Sequence, residues 1–163
     1  MITHEALQDA TEEYDSQSLA DHIWSNTTAT SLYLCFYSAM SFFDTSERID
    51  SIRQHLTQNP QALVVACYCA AWCNTCADYR VAFEQLAQAW PDFAFVWVDI
   101  EDRPELLDDE DIENFPTLLI QDQEQTRFYG VMQPHIQHLE GLLQRVSTLP
   151  PVASSPDLHG HLR

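Results

Sequence analysis

The stretch Ala70-Ala71-Trp72-Cys73-Asn74-Thr75-Cys76 lies between an apolar run and a helical pattern of apolar residues. Residues 62–69 before it are almost all apolar and include β-branched side chains, which predicts a strand buried on both faces of a parallel sheet. After it, apolar residues recur every three or four positions as far as Pro91, which predicts a helix that begins at the cysteines. The two cysteines are therefore expected where a buried strand meets a helix.

The position of the two thiols suggests a division of roles. At a helix start, free N–H groups stabilise a thiolate, so Cys73 is predicted to be the attacking nucleophile. Cys76 lies one turn further along and is predicted to resolve the mixed disulfide and release the reduced substrate. Spacing alone leaves redox chemistry and zinc binding open, because both use two cysteines separated by two residues.

The remaining periodicity predicts an α/β fold. The order from Asp44 is helix, strand, helix, strand, short helix, strand, strand and helix, which indicates parallel pairing early, a hairpin late and helices on both faces of the sheet. Outside the central segment, the predicted elements are a capped helix from residue 44 to 59, strands at 93–98, 117–120 and 126–129, a short helix within 101–114 and a closing helix at 136–146.

A tryptophan directly before the cysteine pair, a buried strand before that, and the segment Phe115-Pro116-Thr117 together resemble the thioredoxin family over about residues 46–146. The resemblance implies a thioredoxin-like three-layer sandwich with a mixed central sheet flanked by helices. It also implies that Cys73 and Cys76 form the redox-active disulfide and carry catalysis.

Four further residues are expected at the substrate-binding groove because they match positions of the family motif. Pro116 corresponds to the family's cis-proline, and the backbone of Phe115 would then pair with an extended substrate strand. Trp72 corresponds to the tryptophan before the nucleophile, and Gly130 to the glycine after the last strand.

The chain also departs from the family pattern. Asn74-Thr75 replaces the usual Gly-Pro between the cysteines, so the reduction potential of the family does not transfer. Cys67 stands where thioredoxins keep a buried Asp, and Trp97 stands where they keep its Lys partner. In thioredoxins the buried Asp assists proton transfer at the resolving thiol. Because this chain lacks that Asp and its Lys partner, resolution by Cys76 is expected to be slower than in an ordinary thioredoxin.

The other cysteines leave alternatives open. Cys67 and Cys69 are two apart on a strand and should share a face at the site end of the sheet. Cys69 is either an auxiliary thiol that takes over the disulfide or, as we favour, a small residue packed in the core, and Cys35 is expected to be a core or extension residue. A metal or iron–sulfur site built from the four clustered thiols would require the fold to open, so no metal and no cofactor is expected.

Charge limits the partners. The 163 residues include 25 acidic and only seven basic side chains, a net charge of −18, which argues against nucleic acid and anionic membranes. The acidic segment 101–113 is interpreted as a solvated face, with a surface that admits basic partners as the alternative. The first 20 residues lack a basic start and an apolar run, so a cytoplasmic location is expected.

Three regions are predicted: an acidic N-terminal extension at 1–43, a thioredoxin-like domain at 44–148 and a flexible C-terminal tail at 149–163. The extension is expected to contribute an extra strand or helix around 32–37, and the alternative is that translation starts at Met40.

The leading function is a thiol–disulfide oxidoreductase that acts on protein disulfides in the reducing direction, as part of cell redox homeostasis. Its partners would be proteins with disulfides and an unidentified reductase or thiol electron donor. The alternative is a binding or adaptor module that keeps the fold and uses the cysteines little or not at all.

Overall fold

The computed structural model describes residues 41–163, which form a five-stranded sheet with helices on both sides. The elements are β1 (Phe42–Asp44), α1 (Thr45–Gln58), β2 (Val64–Cys69), α2 (Asn74–Ala89), β3 (Ala94–Asp99), β4 (Thr117–Gln121), β5 (Thr126–Val131), α3 (Ile136–Leu143) and α4 (Leu158–His161), with 3₁₀ turns at Pro104–Leu107 and Val146–Thr148.

The sheet is mixed, as the sequence predicts. Its strand order is β1-β3-β2-β4-β5, with parallel pairing in the first half and antiparallel pairing from β2 onward. All six residues of β2 are buried, because β2 lies at the centre of the sheet and both of its faces are covered. The α/β fold and its parallel-then-hairpin order are therefore confirmed.

Alternation along β2 divides the core into two layers. Val64, Ala66 and Tyr68 face the layer that contains α1 and α4, where Ile52 and Leu158 are fully buried. The intervening residues of β2, with Cys67 and Cys69 among them, face the layer formed by α2 and α3. This alternation places both strand cysteines beneath the helix that begins after Cys73, as expected from their spacing.

The start of α1 follows the predicted cap. The Asp44 side chain accepts a hydrogen bond from the Ser46 N–H at 3.0 Å and so satisfies one of the free donors of the first turn. The backbone departs from helical geometry once, at Arg48, and the helix ends at Gln58, two residues before Pro60.

One strand lies where the sequence predicts the extension. Phe42 and Phe43 pair in parallel with Phe95 and Val96 of β3, so the ordered sheet begins before residue 44. A three-residue strand is too short to give a periodic signal, which is why the sequence did not reveal it. The prediction for residues 32–37, Cys35 and Met40 lie outside the described residues.

The segment 149–163 differs from its prediction as a flexible tail. Leu158 and Leu162 are fully buried in the layer that contains α1. The Gln121 amide donates to the Pro156 carbonyl at 3.1 Å, and its oxygen accepts from the His159 N–H at 2.8 Å. The three prolines therefore do not prevent these two leucines from packing into the core. Among residues 41–163, no helix combines the length and apolar character needed to cross a membrane.

Candidate active site

Cys73 stands at the start of α2, where the sequence places it. It is the N-cap residue, with extended backbone geometry (φ −83°, ψ 105°), and its carbonyl accepts from the Ala77 N–H at 3.1 Å. Its thiol is free and partly exposed. The thiol therefore stands at the end of α2 where the first-turn N–H groups carry partial positive charge.

The disulfide in the structure joins Cys76 to Cys69, with 6.1 Å between their Cα atoms, and not to Cys73. Cys69 ends β2 and Cys76 lies in the first turn of α2, directly above the face to which Cys69 points. Cys69, which is close to Cys76 in space, therefore competes with Cys73, which is close in sequence, for a disulfide bond to Cys76. The predicted pair Cys73 and Cys76 is thus present without a bond between its members, and Cys69 has taken the place of Cys73.

Cys67 is the fourth thiol of this cluster. Its Sγ lies 3.7 Å from the Sγ of Cys69, which confirms that the two strand cysteines share a face. Burial raises the pKa of Cys67 well above its ordinary value, and the negative charge of Cys73 raises it further. Cys67 is therefore held as a neutral thiol.

Trp72 and Phe115 bring the cysteine loop against the loop before β4. Trp72 is 65% exposed, and its ring meets the Phe115 ring edge to face, with 5.6 Å between centroids. The Phe115–Pro116 peptide bond is cis, as the family resemblance implies, and the Pro116 carbonyl accepts from the Met132 N–H at 3.0 Å. Three of the four expected groove residues are therefore neighbours.

Gly130, the fourth, lies inside β5 and pairs with Leu118 of β4, so it does not follow the last strand as expected. The strand extends to Val131, which pairs with Thr117. Gly130 therefore lies close to the chain that follows Pro116, at the end of the sheet from which the cis peptide bond projects.

Arg80 was not singled out from the sequence, yet it supplies a positive charge on α2, the helix that carries Cys76. Its guanidinium lies 5.5 Å from the centre of the Trp97 ring, the residue that stands where the family keeps a Lys. It also binds the Asp44 carboxylate at 2.7 Å and Glu84 at 2.9 Å. The only sequence feature that could have indicated a role for Arg80 is its spacing of four residues from Glu84, which is typical of an ion pair on a helix.

Tyr79, on the same helix, has a buried hydroxyl without a hydrogen-bond partner among the described residues. Burial raises the pKa of Tyr79. The hydroxyl therefore stays protonated beside the thiol cluster.

The acidic segment after β3 has a structural role that its composition did not suggest. Asp108 accepts from the Asp157 N–H at 2.7 Å and contacts His161, and Glu110 accepts from Ser154. These carboxylates hold the C-terminal segment. Among the side chains of residues 41–163, no three His, Cys, Asp or Glu are grouped so that they could hold a metal ion.

Comparison with known proteins agrees with this geometry. The sequence model of the family described as Thioredoxin matches residues 46–143. Thioredoxin H5 of Oryza sativa is 32% identical over 70 residues, which are 43% of this chain and 51% of that protein. The thioredoxin-like protein CXXS1 of the same species is 37% identical over 62 residues, which are 37% of this chain and 47% of that protein. The chain thus spans about half the length of these curated relatives.

Solved structures support the fold. The chain is similar to thioredoxin f from spinach chloroplast, with a TM-score of 0.53 and 18% identity over 66% of this chain and 94% of that one. It is also similar to thioredoxin of Schistosoma mansoni, with a TM-score of 0.52 and 21% identity over 67% of this chain and 96% of that one. At these identities the likeness shows the fold alone.

Proposed function

Since the chain belongs to the thioredoxin family, we propose that it is a thiol–disulfide oxidoreductase that acts on protein disulfides through Cys73 and Cys76. The observation that carries the proposal is a free, partly exposed thiol at the N-terminal end of α2, with Cys76 buried one turn further along. A disulfide in the same cluster fits thiol–disulfide chemistry in general.

The proposed reaction has two exchange steps. The Cys73 thiolate attacks one sulfur of the substrate disulfide, forms a mixed disulfide and releases the first substrate thiolate. The thiol of Cys76, when reduced, then attacks Cys73 Sγ and releases the second substrate thiolate. Two electrons pass to the substrate, and the two cysteines become a disulfide.

The exposed aromatic group at the site supports a protein substrate. Trp72 offers an apolar surface at the rim of the cysteine loop, beside Phe115. An extended peptide laid along Phe115 and Pro116 would present its disulfide to Cys73, with main-chain pairing for affinity. The reducing direction, the cytoplasm as its location and a reductase or small thiol as electron donor belong to the same proposal.

Insulin reduction tests the proposal directly. Reduced wild-type protein with a dithiol donor should accelerate precipitation of the insulin B chain, and Cys73→Ser should abolish this activity because the partly exposed thiol at the start of α2 is lost. Cys76→Ser should accumulate mixed disulfides that are visible by non-reducing mass spectrometry. Full activity in the Cys73→Ser protein would refute the proposed role of Cys73.

A second candidate function, an adaptor module, is favoured by one observation. Cys76 is bonded to Cys69, so Cys73 stands without its expected resolving thiol, while Trp72 stays exposed for contact. Affinity capture with a Cys73→Ser/Cys76→Ser protein separates the two functions. Partners that bind without either thiol favour the adaptor, and partners that are lost favour the enzyme.

A further inference from the structure

We propose that Cys69 is a second resolving thiol, which takes Cys76 from the Cys73–Cys76 disulfide and returns Cys73 as a free thiol in the oxidised protein. This inference rests on the proposed oxidoreductase function and extends it by one internal step.

The geometry makes Cys76 a sulfur shared between two partners. Cys76 is bonded to Cys69 across the gap between β2 and α2. Cys73 lies three residues before Cys76 at the same helix start, and residues three apart on a helix are neighbours. All three side chains pack in one cluster with Cys67.

The step conserves atoms and electrons. The Cys69 thiolate attacks Cys76 Sγ, the Cys69–Cys76 bond forms, and the Cys73–Cys76 bond breaks with Cys73 leaving as a thiolate. Cys69 gives up its proton before the attack, and this proton either reaches the Cys73 thiolate through solvent or stays in the solvent. No oxidant or reductant is consumed, because one disulfide replaces another.

The surroundings favour this direction. Cys73 leaves at the start of a helix, where N–H groups stabilise its charge, whereas Cys69 is 1% exposed among apolar side chains. Negative charge is therefore better placed on Cys73 than on Cys69. Cys67 lies close to Cys69 but is a free thiol in the structure, so Cys69 and not Cys67 is the partner of Cys76.

The consequence is an oxidised protein that still carries a nucleophile. Its disulfide is closed to partners, since Cys69 and Cys76 are 1% and 2% exposed, while Cys73 is accessible. A reductant can reach the buried bond only after Cys73 attacks Cys76 and brings the disulfide back to the surface.

Peptide mapping of the full chain provides the first test, and the sequence suits it. Chymotrypsin cleaves after Tyr68, Trp72 and Tyr79, which places Cys69 in the peptide 69–72 and both other thiols in the peptide 73–79. Protein oxidised with diamide, alkylated while folded and then digested should yield 69–72 linked to 73–79, with alkylated Cys73. A disulfide within 73–79 and unlinked Cys69 would overturn the proposal.

Cysteine variants provide the second test. In oxidised Cys69→Ala, and in Cys69→Ser as a second version, the disulfide should move into the peptide 73–79. Reduction of the oxidised protein by dithiothreitol should slow at least about tenfold in Cys73→Ser, because the buried bond loses its exposed relay thiol. Val81→Ala, a change at an exposed position of α2, should leave the rate unchanged. An unchanged rate in Cys73→Ser would overturn the relay.

The outcomes separate this inference from the function on which it rests. If the wild-type protein reduces insulin but its oxidised form contains a Cys73–Cys76 disulfide, the proposed step through Cys69 is refuted. The proposed oxidoreductase function is then still supported. A Cys69–Cys76 disulfide in a protein that never reduces insulin would refute the oxidoreductase and the relay together, and would leave that bond a structural one.

Discussion

Arg80 ties the first strand of the sheet to the helix that carries Cys76. Its Nη1 binds Asp44 Oδ2 at 2.7 Å, and Asp44 in turn caps α1. The Asp44 side chain is only 12% exposed, so this pair is better shielded from water than an ordinary surface salt bridge. One side chain therefore connects β1, α1 and α2 next to the site.

Replacing Arg80 with Gln should destabilise the fold. The Asp44 carboxylate would lose its charged partner in a largely buried position, at a cost of about 1–3 kcal/mol in the free energy of unfolding. Urea unfolding of the reduced protein, followed by circular dichroism, measures the change. Arg53→Gln is the matched control, because its contact with Asp50 is longer, 3.5 Å, and exposed. Equal losses in both variants would contradict the role given to Arg80.

Shortening Leu158 to Ala should cost about 2–5 kcal/mol, as expected when a large side chain is removed from a packed core. The same urea unfolding measures it. Ala153→Ser, at an exposed position of the same segment, should change stability by less than about 0.5 kcal/mol. A loss below about 1 kcal/mol for Leu158→Ala would mean that the segment is the flexible tail that its sequence suggests.

The sequence predicted the central sheet and helices because their signals are local. A continuous apolar run such as 62–69 and a three-to-four periodicity after Cys76 each reflect the environment of one element. The segment that ends in α4 lacks such a signal. Its two buried leucines are informative only when the surface left open by α1 is known, and that surface is a property of the assembled fold.

At the site, the sequence predicted the helix and strand positions of the cysteines but not the pairing of their thiols. Spacing placed Cys73 at a helix start and Cys67 and Cys69 on one face, and both expectations are confirmed. For Cys69 the favoured prediction, a small residue packed in the core, is wrong, and the alternative of a thiol that takes over the disulfide fits its bond to Cys76. That bond depends on the distance between a strand end and a helix that approaches it from above. Spacing along the chain carries no information about that distance.

Asp108→Asn should reduce the dependence of stability on acid pH. Hydrogen bonds from the Asp157 N–H and from His161 lower the pKa of Asp108. A carboxyl with a lowered folded pKa stabilises the fold above its unfolded value, about 3.9, and this contribution is lost as pH falls through the folded value. The variant should therefore lose stability near pH 7 and match wild type at about pH 2.

The expected loss is below about 1 kcal/mol, because the Asp108 side chain is 40% exposed and solvent weakens its contacts. Asn tolerates the positive φ of 51° at this position as Asp does, so the substitution tests charge and not backbone strain. Unfolding free energies at pH 7 and at pH 2 give the comparison, with Asp109→Asn as the exposed neighbouring control. A loss of equal size at both pH values would point to a lost hydrogen bond rather than to charge.

Trp72→Ala should weaken substrate use and leave the fold intact. The ring is mostly exposed and packs on Phe115, so its removal should cost less than about 1 kcal/mol of stability. If the ring contacts protein substrates, kcat/KM for insulin reduction should fall about tenfold, equivalent to about 1.4 kcal/mol of binding, mostly through a higher KM. Val81→Ala removes another exposed apolar side chain from α2 and should leave kcat/KM unchanged. If Trp72→Ala lowers kcat with KM unchanged, the ring acts on the reactivity of Cys73 and not on substrate binding; if neither constant changes, Trp72 does not contact the substrate.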